Sequence, residues 1–345
     1  MKRFLTLLLS LAMTFSLAAC GNNGATSTPN ASSGSAPADG DGKVYTLKMS
    51  YTISGNETVA QCAQAMAKTV TERTNGGIVF ENFPDGQLAT DTDALELCAQ
   101  GANIISFGTP DFLAAYVPDL GILDGPFLFA APSEFKLVDQ SDWMQDMRGN
   151  LESQGIKNLG MSWYFGSRNL IYTGDKGVSL PSDLKGMKIR SASSPTRVGM
   201  LEAMGATVTQ MPWNEVYSAL QQGVCNGCEA PLSTLYSSKI YEVCKNITLD
   251  KHIMAIWSVN MSADYFNSMP AEYQAILQEE INNAAQVTID RVTVDEAGFQ
   301  NMLEDEGVKF YEADHDAFVD ATKSVYGNIS GWSDGLYDTV SAILQ

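Results

Sequence analysis

From Tyr45 onward, short apolar runs alternate with amphipathic periodicities, and this alternation restricts the possible folds more than any other feature. Tyr45 to Tyr51 alternates apolar and polar residues as a half-buried strand does. Glu57 to Thr74 then places apolar residues at Val59, Cys62, Met66 and Val70, which predicts a helix ended by Asn75-Gly76-Gly77. A strand at Ile78 to Asn82, a Pro84-Asp85-Gly86-Gln87 turn, a helix from Asp91 to Gln100 and a strand at Asn103 to Phe107 follow. Strands and helices at this spacing build a largely parallel α/β sheet.

The pattern restarts after Gly155, with strands predicted at Lys157 to Tyr164, Asn169 to Thr173, Met187 to Ala192 and Ala206 to Gln210. Ser194 and Pro195 are an N-cap and first-turn pair opening a helix to Met204, stopped by Gly205. A second helix begins at Trp213 or Asn214 and reaches Gln222. The chain thus holds two α/β units, the second beginning near Gly166. Pro270 to Glu306 reads as one helix about 55 Å long, more than one domain is wide. The alternative is two helices broken at Val292-Thr293-Val294, where β-branched residues cluster. Phe310-Tyr311 is a candidate last strand, followed by helices to Gln345.

The ends carry a different message. Lys2 and Arg3, the apolar run Phe4 to Phe15 and the small-residue site Leu17-Ala18-Ala19-Cys20 form a targeting signal over residues 1–20. That ending resembles a bacterial lipobox, which would make Cys20 the acylated first residue of the mature chain. Residues 21–42, rich in Gly, Ser, Thr, Asn, Ala and Pro, cannot bury enough apolar surface to order themselves and read as a tether. A formal charge of −19 argues strongly against binding to nucleic acid or anionic lipid. Any anion bound must therefore find a local cationic site.

Catalytic patterns are lacking. The chain has two histidines, His252 and His315, and neither GxSxG, GxGxxG nor a P-loop. Beyond Cys20, the five cysteines at 62, 98, 225, 228 and 244 are an odd number, so at least one thiol stays unpaired within the chain. Cys225-Asn226-Gly227-Cys228 lacks the second half of a zinc site and follows a helix rather than opening one, so the cysteines read as small core residues, with no metal and no cofactor. The acidic pairs Asp91/Asp93 and Asp295/Glu296 read as solvated helix faces. An enzyme would have to use Cys225 or Cys228 with His252, and no spacing supports that pair.

A binding site has better candidates. Arg190, on the strand Met187 to Ala192, projects near a carboxyl edge, where open α/β sheets bind ligands. Its planar fork suits a carboxylate. Arg168 is a possible second cation, and Trp213 a cleft wall or stacking surface. Taken singly, Arg190 and Arg168 read better as surface ion pairs and Trp213 as core filler.

Their order along the chain decides between these readings. Asp183-Leu184-Lys185-Gly186, Lys188-Ile189-Arg190, Gly205-Ala206, Met211-Pro212 and Glu215-Val216-Tyr217-Ser218-Ala219-Leu220-Gln221 occur in sequence, preceded by Thr74-Asn75-Gly76-Gly77 and Pro84-Asp85-Gly86-Gln87-Leu88. This series resembles the DctP-type substrate-binding proteins of TRAP (tripartite ATP-independent periplasmic) transporters, over about Tyr45 to the C-terminus. The resemblance implies a two-domain, periplasmic-binding-protein-like α/β fold with a ligand cleft between domains and a domain-spanning helix. Domain I would comprise residues 43–166 plus about 253–292, and domain II residues 167–252 plus about 293–345.

It also implies an extracytoplasmic, lipid-anchored protein that captures a small organic carboxylate and passes it to a small and a large integral membrane subunit. Arg190 would be the principal carboxylate partner, Arg168 the second cation and Trp213 part of the cleft. Thr52, Thr109 and Ser193 are further candidate cleft residues. Asn226-Gly227-Cys228-Glu229-Ala230-Pro231 departs from the family ending, because Ala230 stands where an asparagine is usual. Loss of that donor and acceptor predicts a bulkier, less polar acid, or one held mainly by Arg190, and counts against highly hydroxylated sugar acids. Other readings are a binding lipoprotein for an ATP-driven importer or sensor, and a secreted thiol enzyme.

Overall fold

The computed structural model of the chain describes residues 42–345; the targeting signal, Cys20 and all of the expected tether but Gly42 lie outside the described residues. Strands β1 (Tyr45–Ser50), β2 (Ile78–Phe83) and β3 (Ile104–Gly108) form a parallel group, with α1 (Thr58–Arg73) and α2 (Asp91–Ala99) as crossovers. The apolar stripe at Val59, Cys62, Met66 and Val70 is buried, as its spacing requires. Helices α3 (Glu134–Asp139) and α4 (Asp142–Ser153) then lead into β4 (Ile156–Tyr172).

A second parallel group consists of β5 (Lys188–Ser191), β6 (Thr207–Gln210) and β7 (Gly227–Pro231). Its connections include α5 (Pro195–Ala203) and α6 (Val216–Gln221), and α7 (Leu232–Ser237) follows it. Ser194 caps α5, accepting from the Arg197 amide, and Pro195 occupies the first turn. The chain continues through β8 (Asn246–Ser262), α8 (Ala263–Asn267), α9 (Ala271–Asp305), β9 (Lys309–Glu312) and α10 to α12 (His315–Thr322, Val325–Asn328, Leu336–Ile343).

The nine strands of the described residues join one sheet, in the order β2-β1-β3-β8-β4-β7-β5-β6, with β9 on β8. Both parallel groups hang on the antiparallel pair β4–β8, each strand 17 residues long. At about 3.3 Å per residue these strands reach roughly 55 Å, close to the length of the 35-residue α9. Three long elements thus run through both halves of a two-domain α/β fold.

Sequence patterning divides β4 in two, whereas the structure keeps it continuous. Gly166, at φ +129°, sits at one of several bulges that bend the strand without ending its ladder to Ala255, Met254 and Ile253. Likewise α9 is unbroken at Val292-Thr293-Val294, because Val292 is buried and offsets the weak helix preference there. Trp163 Nε1 donates to the Ile281 carbonyl at 3.0 Å, and the Tyr164 amide donates to Thr288 Oγ1 at 2.9 Å. Asp295 and Glu296 are not a solvated face. Asp295 accepts from Thr58 Oγ1 at 2.6 Å, and Glu296 accepts from the Ser167 amide at 2.6 Å and Tyr164 Oη at 3.1 Å.

Candidate functional site

The parallel strands end on a common cavity. Thr52 lies just beyond β1, Gly108 and Thr109 end β3, Ala192 follows β5, and Trp213 follows β6. This is the carboxyl edge where open α/β sheets place ligands. The space, about 420 Å³ and open to solvent, is also lined by Asp91, Arg168, Arg190, Arg197, Ala230 and Trp257. Six of the seven cleft residues picked from sequence meet here: Arg190, Arg168, Trp213, Ala230, Thr52 and Thr109. Ser193 does not: it is exposed and is not part of the lining.

Arg190 is buried on β5, yet among the described residues it has no ion pair. Its Nε and Nη2 donate to the Met211 carbonyl at 3.0 and 2.6 Å, and its guanidinium lies 5.2 Å from the centre of the Trp213 ring. Trp213 is fixed in turn by its Nε1 donating to Ser238 Oγ at 3.1 Å. The fork is therefore aimed, while Nη1 has no hydrogen-bond partner among the described residues. Burial pulls the Arg190 pKa down to about 10, which leaves it charged at neutral pH.

Arg168 behaves differently. Its Nε and Nη2 grip the Glu229 carboxylate, and Nη2 also donates to the Glu229 carbonyl at 3.0 Å. Burial alone would raise the Glu229 carboxyl, but Arg168 holds it well below the usual range. Glu229 also meets His252 Nε2 at 3.3 Å, and His252 Nδ1 meets Asp250 Oδ2 at 2.7 Å. Burial opposes the imidazolium, but Asp250 and Glu229 together push His252 up to about 9.

Arg197 was not singled out by sequence. Its Nη2 reaches Thr109 Oγ1 at 2.6 Å and both Asp111 Oδ1 and Asp124 Oδ2 at 2.9 Å. One cation between two buried acids leaves a proton to share, and burial pushes Asp124 up to about 8. Asp91 is not on a solvated helix face. It lines the cavity, whereas Asp93, two residues on, is exposed. The available signal was its place at the helix start between β2 and β3, on the ligand-binding edge.

A wider groove between α4, β4 and α9 contains Arg148 and Lys157, but these pair with Asp139 and Glu152. The five described cysteines are buried and unbridged. Burial pushes the Cys228 thiol well above its usual value, and both His252 nitrogens are held by acids, so no thiol–imidazole pair forms. Among the described residues, no cluster of three or more His, Cys, Asp or Glu side chains is placed to hold a metal.

Comparison with known proteins gives this geometry a context. The family model DctP, bacterial extracellular solute-binding protein family 7, matches residues 49–330. A TRAP periplasmic solute binding protein from Desulfovibrio salexigens, in complex with diglycerolphosphate, is 38% identical with a TM-score of 0.82, covering 88% of this chain and 96% of its own. One from Ochrobacterium anthropi, with bound L-fuconate, is 30% identical with a TM-score of 0.84, covering 88% and 100%. The C4-dicarboxylate-binding periplasmic protein DctP of Shewanella loihica is 27% identical over 286 residues, 81% of this chain and 84% of that protein. The shared fold, the match over nearly the whole described body and the cleft at the strand ends lead to one conclusion: this chain belongs to the DctP-type family of extracytoplasmic solute-binding proteins of TRAP transporters, which are not enzymes.

Proposed function

We propose that this protein captures a small organic acid, bound through its carboxylate, in the cavity around Arg190 and carries it to the small and large membrane subunits of a TRAP transporter. The single observation that carries this reading is Arg190 itself, a buried guanidinium with no acidic partner at the cleft wall. A buried cation without a counterion is costly, and a ligand anion removes that cost. Arg168 is largely occupied by Glu229, so its part is to hold the β4–β7 wall and offer at most Nη1. The relatives' ligands, diglycerolphosphate and L-fuconate, are both anions with hydroxylated bodies, which supports a small polar anion here.

The two lobes are residues 43–166 with about 253–292, and residues 167–252 with about 293–345. Closure of one on the other buries the ligand. Acylation of Cys20 would hold the protein at the cell membrane, and the segment up to residue 42 would give it reach.

A thermal-shift screen over mono-, di-, keto- and hydroxy-carboxylates, with phosphate esters included, finds the ligand, because binding raises stability as RT ln(1 + [L]/Kd). Arg190→Ala should then weaken the best acid by about 2–5 kcal/mol in calorimetry, the cost of leaving a buried carboxylate unpaired. An unchanged dissociation constant would overturn the assignment.

A further inference from the structure

The cavity holds an unmatched group of the opposite sign. Asp91 opens α2, and the hydrogen bonds it accepts come from Thr52 Oγ1, 3.0 Å from Oδ2 and 3.3 Å from Oδ1. Among the described residues it has no ion pair: Arg168 is committed to Glu229 and Arg197 to Asp111, Asp124 and Thr109, while Arg190 donates to the Met211 carbonyl and acts on Asp91 through its charge alone. The wall makes room for it. A Cβ on Gly108 would lie 3.2 Å from Asp91 Oδ1, so the bare backbone at the end of β3 lets the carboxylate settle there. A carboxylate accepts up to about four hydrogen bonds, and one hydroxyl leaves most of that capacity unfilled. Burial pushes the Asp91 carboxyl up to about 6, so at neutral pH it is still mainly the charged form that faces the cavity.

We propose that Asp91 determines specificity by accepting a hydrogen bond from the ligand's body, so that the protein selects organic anions bearing a hydroxyl or ammonium group over plain acids of the same length. This rests on the reading of Arg190 as the anion site. An anion on Arg190 that gave Asp91 nothing would put a second negative charge into the same cavity and strip water from an acceptor without replacing it. Sites built to bond a substrate hydroxyl reject the analogue lacking it far more strongly than apolar pockets reject a missing methylene. The methyl group of Ala230, alone, points to a less polar ligand. Asp91 supplies from the β2–β3 side the polar contact that position 230 has lost.

Three six-carbon acids test this: L-fuconate, 6-aminohexanoate and hexanoate, titrated by calorimetry into the wild type, Asp91→Asn and Arg190→Ala. The wild type should bind L-fuconate or 6-aminohexanoate about tenfold or more tighter than hexanoate, as expected for a hydrogen bond to a charged group. Which of the two wins tells hydroxyl from ammonium. Asp91→Asn should shrink that gap to below about threefold while hexanoate binding holds or tightens, which also shows that the variant is folded. Hexanoate binding the wild type as well as the other two, or losing as much as they do in Asp91→Asn, overturns the inference. Arg190→Ala leaving all three unchanged removes the anion site and leaves the Asp91 comparison standing. A wild type that binds none of them overturns both.

Discussion

Arg168 on β4 and Glu229 on β7 close a two-pronged ion pair inside the sheet, and Arg168 Nη2 adds a bond to the Glu229 carbonyl at 3.0 Å. Arg190, on the next strand but one within the same sheet order, has no such acid. The two arginines line one cavity but play opposite parts, the first building its wall and the second lacking a partner until a ligand arrives.

This division predicts different stabilities. Arg168→Ala strands Glu229 in the interior and should cost about 3–5 kcal/mol of unfolding free energy. Arg190→Ala removes a buried charge with no acid to strand, together with hydrogen bonds to one carbonyl, and should cost less than about 1.5 kcal/mol. Urea denaturation of both variants without ligand checks the contrast, and equal losses would sink it.

Arg190→Lys should not restore binding. The fork is aimed by the Met211 carbonyl and the Trp213 ring, while an ammonium is a point charge that offers no parallel pair of donors. Affinity for the best carboxylate should fall by about tenfold or more, with thermal stability in the absence of ligand nearly unchanged. A lysine variant that binds as the wild type does would show that charge alone holds the anion.

Part of this was legible in the sequence because local chemistry and tertiary role coincide there. The stripe on α1, the Ser194-Pro195 start of α5 and Arg190 at a strand's carboxyl end each follow from neighbours in the chain. Strand β8 was not legible. Asp250-Lys251-His252 breaks its apolar run: Lys251 is exposed, whereas Asp250 and His252 are buried by contact with each other, with the Leu170 amide on Asp250 and with distant Glu229 on His252. Asp91 and Asp93 look alike in sequence, and only the packing of α2 beside β3 separates the cavity residue from the exposed one. Residue spacing cannot report which side of a helix start meets a strand laid down later.

Gly227→Ala should be among the most damaging small changes. A Cβ there would lie 2.4 Å from the Ile171 carbonyl oxygen and 2.9 Å from Tyr172 Cβ. Neither is the loose end of a side chain, so β7 must move away from β4, taking Glu229 and Ala230 with it. Overpacking of this kind costs about 1–3 kcal/mol. The melting temperature should drop and ligand affinity should fall with it, and a variant with wild-type values for both would refute the tight register.

Glu57 predicts a pH dependence. It precedes α1 and accepts from Ser237 Oγ at 2.6 Å, Thr234 Oγ1 at 2.7 Å and Ser233 Oγ at 3.3 Å, all on α7. Burial pushes its carboxyl up to about 7, and these three donors oppose that rise without cancelling it. The folded protein therefore holds a proton that the unfolded chain, titrating near 4.5, has lost. Its contribution to stability is fullest below about pH 4.5, declines as pH rises towards 7 and is flat above, a change on the order of 3 kcal/mol. Glu57→Gln cannot titrate, so relative to the wild type it should gain stability between about pH 4.5 and pH 7 and stay level above. Urea unfolding of both proteins at several pH values across that window measures the difference directly, and parallel profiles would show that the buried carboxyl is ionised throughout.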